Sequence, residues 1–269
     1  MDIKIAILQY HIILEDIDKN ISVVENYIAK ASKDGVELFL LPEMSFSGFS
    51  MNTGVTARKL EDMMDKLTPI SKRFNIAIGF GWVENTSDQQ CICYNKYTII
   101  DGEEAIITYS KIHPFSYSSE NEYFAAGDKI VQFEFKGIPF SLFICYDLRF
   151  PEIFQIVSGK AHVILLPACW PEKRAEHWKT LLCARAIENQ CYIIGINCVG
   201  DIGGLLYSGD SRIINSDGKV VACAESNKEQ MIIYNLDDDV DAYRESFPVK
   251  KDRREDLYGV LRNEHNRKI

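Results

Sequence analysis

The sequence predicts an α/β protein made of two packed sheets with helices on their outer faces. Three observations predict it. Residues 37–41, 140–144 and 162–167 are short, almost wholly apolar runs, and strands buried on both faces belong to sheets flanked by helices. Helical apolar spacing appears between and after these runs, from Asp18 to Ala31, over 59–74 and over 174–188. The order strand, helix, buried strand ending in a polar residue, helix, hairpin strands occurs twice, although no strict sequence repeat is present. With 269 residues and 46% hydrophobic content the chain can bury one large core, and no linker or low-complexity tract divides it. A single domain is expected over residues 1–236, with a polar C-terminal extension over 237–269.

Residues 4–9 read as the first strand. Asp18 begins a helix whose Ile21, Val24, Ile28 and Ala31 fall on one face, and Gly35 stops it. Residues 37–41 then place Glu43, after Pro42, at the C-terminal end of a buried strand, the edge where α/β sheets put their chemistry. The helix over 59–74 carries Leu60, Met63, Met64 and Leu67 and is expected to kink or break at Pro69. Residues 75–82, 91–100 and 105–109 follow as three strands, with Asp101-Gly102 a hairpin turn. The polar loop over 111–128 is long enough to suggest function. Residues 140–144 deliver Cys145 to a strand-to-helix junction, where Pro151 suits a helix start. A strand over 162–167, a helix with Trp178, Leu181, Leu182 and Ala186 along one side, and strands over 191–197, 208–215, 219–224 and 230–235 complete the second half. Ser216-Asp217-Gly218 is a hairpin signal. Beyond Asp237 the chain reads equally as a solvated tail or as a segment docked on a partner subunit.

The net charge of −9, with no basic block longer than two residues, argues against nucleic acid or an anionic membrane as a partner. No apolar stretch approaches the ~18 residues of a membrane span, and the amino terminus, with Asp2 before a short apolar run, reads as a strand and not a signal peptide. The eight cysteines are dispersed and read as reduced thiols of a cytoplasmic protein. Cys91 and Cys93 lack the spacer and second ligand pair of a zinc site; alternation puts both on one strand face, as packing.

Taken alone, Cys145 is either a buried structural cysteine or a nucleophile, since free N–H groups at a helix start can lower a thiol's pKa and bind an oxyanion. A nucleophilic thiol needs a base. Of His11, His113, His162, His177 and His265, none lies in a signature tying it to Cys145, and His113 and His177 stay open as bases. Glu43 is the stronger candidate, because a carboxylate at a buried strand end is either paired or raised in pKa, and a raised one serves as a general base. Lys111 and Glu120 read by themselves as an ordinary lysine and a loop acid that competes with Glu122. Arg149, four residues past Cys145, reads as an ion pair with Glu152 or Glu188 more than as a carboxylate clamp.

In order and spacing, Leu41-Pro42-Glu43, Tyr109-Ser110-Lys111-Ile112-His113 and Phe143-Ile144-Cys145-Tyr146-Asp147 with its continuation Leu148-Arg149-Phe150-Pro151-Glu152 resemble the Glu-Lys-Cys motifs of the nitrilase superfamily of carbon–nitrogen hydrolases. The resemblance covers nearly the whole chain. It implies a four-layer α-β-β-α sandwich, a homodimer or larger assembly joined through the helical face, and amide hydrolysis with no metal or organic cofactor. It also implies roles: Glu43 as general base, Cys145 as nucleophile, Lys111 as the oxyanion's cation beside the Tyr146 backbone N–H, and Glu120 as the second glutamate that holds Lys111 and the substrate in place. Residues 42–49, Cys169-Trp170-Pro171 and residues 244–248 look most like the omega-amidase branch, which releases ammonia from the terminal amide of 2-oxoglutaramate or 2-oxosuccinamate. Trp170 would then line the pocket, or be a core aromatic. The rival readings are an amidase for deaminated glutathione, an N-carbamoyl amide hydrolase, a true nitrilase and a non-catalytic, redox-sensing thiol protein.

Overall fold

The computed structural model describes residues 2–85, 93–237 and 239–266. The first half of the chain runs β1 (Asp2–Gln9), α1 (Ile17–Lys33), β2 (Leu38–Leu40), α2 (Thr53–Thr56), α3 (Leu60–Phe74), β3 (Ala77–Asn85), β4 (Cys93–Asp101), β5 (Glu104–Ser110) and the short α4 (Glu120–Tyr123). The second runs β6 (Gln132–Phe135), β7 (Ile138–Leu142), α5 (Pro151–Val157), β8 (Val163–Ala168), α6 (Ala175–Asn189), β9 (Tyr192–Asn197), β10 (Val199–Ile202), β11 (Leu205–Ser208), β12 (Arg212–Ile214), β13 (Val220–Cys223) and β14 (Gln230–Asp237), then α7 (Val240–Ser246) and α8 (Glu255–Asn266).

One six-stranded sheet has the order β14-β1-β2-β3-β4-β5 and the other β13-β12-β9-β8-β7-β6, with β10 and β11 a separate hairpin. Both sheets follow one plan, which is the physical content of the pattern that repeats in the sequence. Each has an antiparallel edge strand, three parallel strands and two antiparallel hairpin strands. Strand alternation divides the apolar residues between two cores. Ile5 and Ile7 of β1 share a cluster with Leu165 of β8 and Ile194 of β9, between the sheets, whereas Ala6 and Leu8 join Val24 and Ile28 of α1 and Leu67 of α3 on the outer face. Trp178, Leu182 and Ala186 of α6 cover the outer side of the second sheet. The result is an α-β-β-α sandwich.

Several details differ from expectation. The helix over Leu60–Phe74 runs through Pro69 without a break; Pro69 and Asp65 both face solvent, so the carbonyl that loses its helical partner is open to water. The strand expected over 208–215 shrinks to β12, because Gly209 (φ +76) and Asp210 (φ +61) take left-handed backbone that a strand cannot continue through. The β10–β11 hairpin, turning at Gly203-Gly204, and β6 were not anticipated. Cys91 lies outside the described residues, so its expected place beside Cys93 does too. The start of the polar C-terminal segment packs on the rest of the same chain. Val240 is buried, Arg244 donates to the carbonyls of Ala161 (2.7 Å) and Gln190 (3.1 Å), and the Gln190 side chain donates to the Phe247 carbonyl (2.7 Å). Among the described residues no helix is long and apolar enough to cross a membrane.

Candidate active site

Three strand ends converge on one point. Where the chain leaves β2, the Tyr97 hydroxyl accepts from the Leu41 N–H (3.2 Å) and donates to its carbonyl (3.0 Å), which fixes the direction of the following Pro42-Glu43. Gly81 of β3 leaves room for this turn, since a Cβ there would lie 2.3 Å from the Met44 nitrogen and 2.9 Å from the Glu43 Cα. At the end of β5 the Lys111 N–H donates to the Asn95 carbonyl at 2.9 Å. Three residues beyond β7, Cys145 opens a 3-10 turn, Cys145–Arg149, with φ +46. That left-handed backbone is strained for a side chain other than glycine and costs about 1–2 kcal/mol. The turn's first bond runs from the Asp147 N–H to the Ile144 carbonyl (3.0 Å), so the Cys145 and Tyr146 N–H groups have no acceptor within the turn.

The charged groups form a closed, buried cluster. The Lys111 ammonium donates to Glu43 Oε1 (2.7 Å) and to Glu120 Oε2 (2.9 Å) and Oε1 (3.1 Å). All three side chains are at most 1% exposed. Asn95 donates to both acids, at 2.7 Å to Glu43 Oε1 and 2.9 Å to Glu120 Oε1, and the Phe115 N–H donates to Glu120 Oε2 at 2.5 Å. Glu43 Oε2 accepts from the Cys169 N–H at 2.8 Å. Burial alone would push the Lys111 ammonium down, but the Glu120 and Glu43 charges outweigh it and hold it well above the ordinary range. Cys145 is 7% exposed and its thiol points to the Cys169 carbonyl (3.8 Å). Burial pushes this thiol up, and the Glu43 carboxylate pushes it further against a weaker downward pull from Lys111. The helix-start lowering considered from sequence is therefore overridden: the resting group is a thiol facing a carboxylate.

Asp147 ties the Cys145 turn to the Lys111 segment. One carboxylate oxygen accepts from the Ile144 N–H (3.0 Å) and the Tyr109 hydroxyl (2.7 Å), and the other from the His113 N–H (3.0 Å) and Nδ1 (2.7 Å). Tyr109 and His113 flank Lys111 by two residues on either side, so Asp147 sets the separation of Cys145 and Lys111. His113 thus lies on Asp147 and stacks on Phe150 (3.8 Å between centroids), and His177 meets Arg149 (3.3 Å). Glu43 is the carboxylate that faces the thiol.

Cys145 and Lys111 lie on the floor of a cavity of about 230 Å³ whose walls include Phe49, Phe115, Tyr146 and Trp170. Trp170 is 3% exposed and stands in the cavity wall, with its N–H donating to Asn197 Oδ1 (2.7 Å) and its indole N–H to the Arg174 carbonyl (2.8 Å). Arg149 also lines the cavity, its guanidinium 4.7 Å from the Trp170 ring centroid. Glu188, one of its two expected ion-pair partners, is held instead by Arg185 at 2.8 Å. Sequence reasoning missed Asn95, the Cys169 N–H and the linking role of Asp147. Asn95 had a signal: it shares the inward parity of β4 with Cys93 and Tyr97, and a polar residue there needs partners. No group of three His, Cys, Asp or Glu side chains among the described residues is placed to hold a metal ion.

Comparison with known proteins agrees with this geometry. The carbon–nitrogen hydrolase family profile matches residues 4–245. A 2-oxoglutaramate amidase of Bacillus subtilis (strain 168) is 35% identical over 267 residues, covering 94% of this chain and 98% of the relative. Omega-amidase YafV of Escherichia coli (strain K12) is 32% identical over 252 residues, covering 93% and 96%. Among solved structures, a CN-hydrolase superfamily protein from Xanthomonas campestris, with an arsenic adduct in its active site, superimposes with a TM-score of 0.87 at 28% identity, covering 94% of this chain and 97% of that one. A carbon–nitrogen hydrolase from Helicobacter pylori G27 shares the fold, with a TM-score of 0.88 at 22% identity over 97% of this chain and 98% of that one. The chain belongs to the carbon–nitrogen hydrolase family.

Proposed function

We propose that the protein is an omega-amidase, hydrolysing the terminal carboxamide of a 2-oxo acid such as 2-oxoglutaramate or 2-oxosuccinamate to carboxylate and ammonia through a cysteine thioester. The observation that carries the reading is the Lys111 ammonium held between Glu43 and Glu120 on the floor of the cavity that Cys145 also lines. The similarity to enzymes named omega-amidase and 2-oxoglutaramate amidase supports the substrate class.

In this mechanism Glu43 takes the Cys145 proton as sulfur attacks the amide carbon, which is required because the thiol is raised and not pre-ionised. Negative charge develops on the carbonyl oxygen, where Lys111 and the Tyr146 N–H stabilise it; one good donor of this kind contributes ~3 kcal/mol. The intermediate collapses as Glu43 returns the proton to the leaving nitrogen, so ammonia departs and the thioester remains. Water then enters, gives a proton to Glu43 and attacks the thioester; loss of the sulfur with that proton frees the acid and restores the thiol. Glu120 acts as a positioning residue that keeps Lys111 in place.

The same raised thiol runs against the redox-sensor alternative, since sensor cysteines work as thiolates. Cys145, Cys169, Cys183, Cys191, Cys198 and Cys223 are free thiols, which supports a reducing, cytoplasmic setting. Ile156 of α5 and Ile187 of α6, 69% and 59% exposed, support pairing of two copies through the helical face. The test is ammonia release from a panel of 2-oxoglutaramate, N-carbamoyl amino acids and simple nitriles. Wild-type protein is expected to favour 2-oxoglutaramate and Cys145→Ala to lose all turnover with an unchanged circular dichroism spectrum; undiminished turnover by Cys145→Ala would sink the assignment.

A further inference from the structure

The lining of the catalytic cavity has a sign. It includes Lys111, Arg149, Lys173 and Arg174 and no acidic side chain, in a chain of net charge −9. Lys111 is already engaged by two carboxylates. Arg174 is different. It is half-buried at the entry to α6, its guanidinium 5.2 Å from the Phe115 ring centroid and 5.7 Å from that of Tyr117, and no carboxylate pairs with it among the described residues. Its backbone is fixed by the bond from the Trp170 indole to its carbonyl (2.8 Å). Arg149 occupies the same lining over Trp170, and besides partial burial the Arg174 charge lowers its pKa, so the two guanidinium groups feel one another's repulsion. Two arginines held on aromatic faces beside a common cavity are relieved by an anion, and a planar fork suits a carboxylate.

We propose that Arg174, with Arg149 as the second cation, binds the carboxylate at the end of the substrate remote from the reacting amide. This rests on the omega-amidase reading above. An omega-amide of a 2-oxo acid carries its negative charge at the far end of a short chain, so the amide reaches Cys145 on the floor while the carboxylate stays with Arg174. The aromatic residues keep both guanidinium groups in place without neutralising them. Arg174 is then a specificity-determining residue: a neutral amide of the same length reaches the nucleophile but forgoes the charge-assisted bonds.

The experiment compares kcat and KM for 2-oxoglutaramate and for pentanamide in the wild type, Arg174→Gln and Arg174→Lys. In Arg174→Gln the ratio of kcat/KM for 2-oxoglutaramate to that for pentanamide is expected to fall at least tenfold, mostly through KM, while Arg174→Lys keeps most of the ratio. Loss on both substrates in parallel, with the ratio intact, overturns the proposal by showing that Arg174 only supports the wall. If the wild type itself shows no preference for 2-oxoglutaramate, the omega-amidase reading fails and the subsite with it; if the wild type prefers it and Arg174→Gln keeps that preference, only the subsite fails. Competition by 2-oxoglutarate gives a reading that needs no turnover of the charged substrate: its inhibition constant against pentanamide is expected to rise tenfold or more in Arg174→Gln, and an unchanged constant overturns the proposal.

Discussion

The buried ion cluster reaches the cavity from the first half of the chain, while sulfur, backbone dipoles and the arginines of the wall reach it from the second. Glu43 follows β2, Asn95 sits on β4, and Lys111 and Glu120 follow β5; Cys145 and Tyr146 follow β7, and Cys169 and Trp170 follow β8. The two sheets share one strand plan, yet nothing in the chemistry is duplicated. The shared plan brings strand ends to one edge, and local sequence decides what each end carries. A thiol with no base and an ion cluster with no nucleophile are each inert, so activity exists only where the halves are packed together, and Asp147 and the Cys169 N–H are the bonds that hold this junction.

The two halves uncouple most severely at Lys111. Lys111→Met leaves Glu43 and Glu120 facing each other without a cation, and a buried pair that loses one partner costs ~3–5 kcal/mol. Urea unfolding monitored by fluorescence is expected to show that loss together with no detectable ammonia release; a variant as stable as the wild type would contradict the closed cluster.

Glu43→Gln separates proton transfer from fold. The amide retains shape and can accept from Lys111, so the fold is expected to survive while ammonia release falls ~10²–10⁴-fold, as expected for loss of a general base. Because the Glu43 charge holds the Cys145 thiol up, its removal moves the titration down, and the pH midpoint of iodoacetamide labelling is expected to shift to lower pH than in the wild type. A midpoint that stays or rises would mean that the two halves do not communicate through this carboxylate.

The smallest of the three effects comes at the junction. Asp147→Asn leaves one oxygen and a donating NH2 to face the Ile144 N–H, Tyr109 hydroxyl and His113 groups, which costs ~1–3 kcal/mol for a buried donor left unmatched. The expected result is a lower melting temperature and a roughly tenfold lower kcat with KM little changed, since Cys145 and Lys111 drift apart while the walls persist. A KM effect of the same size as the kcat effect would place Asp147 in the walls.

The fold was largely legible because apolar strands and amphipathic helices write their burial into residue periodicity. Glu43, Lys111, Glu120 and Cys145 were legible as an ordered set of motifs, and the structure brings all four together. Asn95 was not read, because it sits inside a strand with no motif around it and its importance comes from two acids 52 and 25 residues distant in sequence. The Cys169 N–H was not legible because a backbone donor leaves no trace in residue type. The hairpin after β9 carries a readable Gly203-Gly204 turn, but a strand expected over 208–215 crosses Gly209 and Asp210, whose positive φ belongs to tertiary context. The docking of Arg244 on carbonyls of the same chain was equally invisible, since carbonyl acceptors are everywhere in a sequence.

One feature of the nucleophile turn reaches beyond catalysis. Cys145 holds a backbone conformation at φ +46 that glycine would adopt without strain. Stability and chemistry therefore ask for different residues at a single position, and the sulfur is kept against the preference of its own main chain. A lineage released from selection for turnover would gain stability by replacing Cys145, so glycine at 145 in a descendant of this chain is the mark of an enzyme that has become a scaffold.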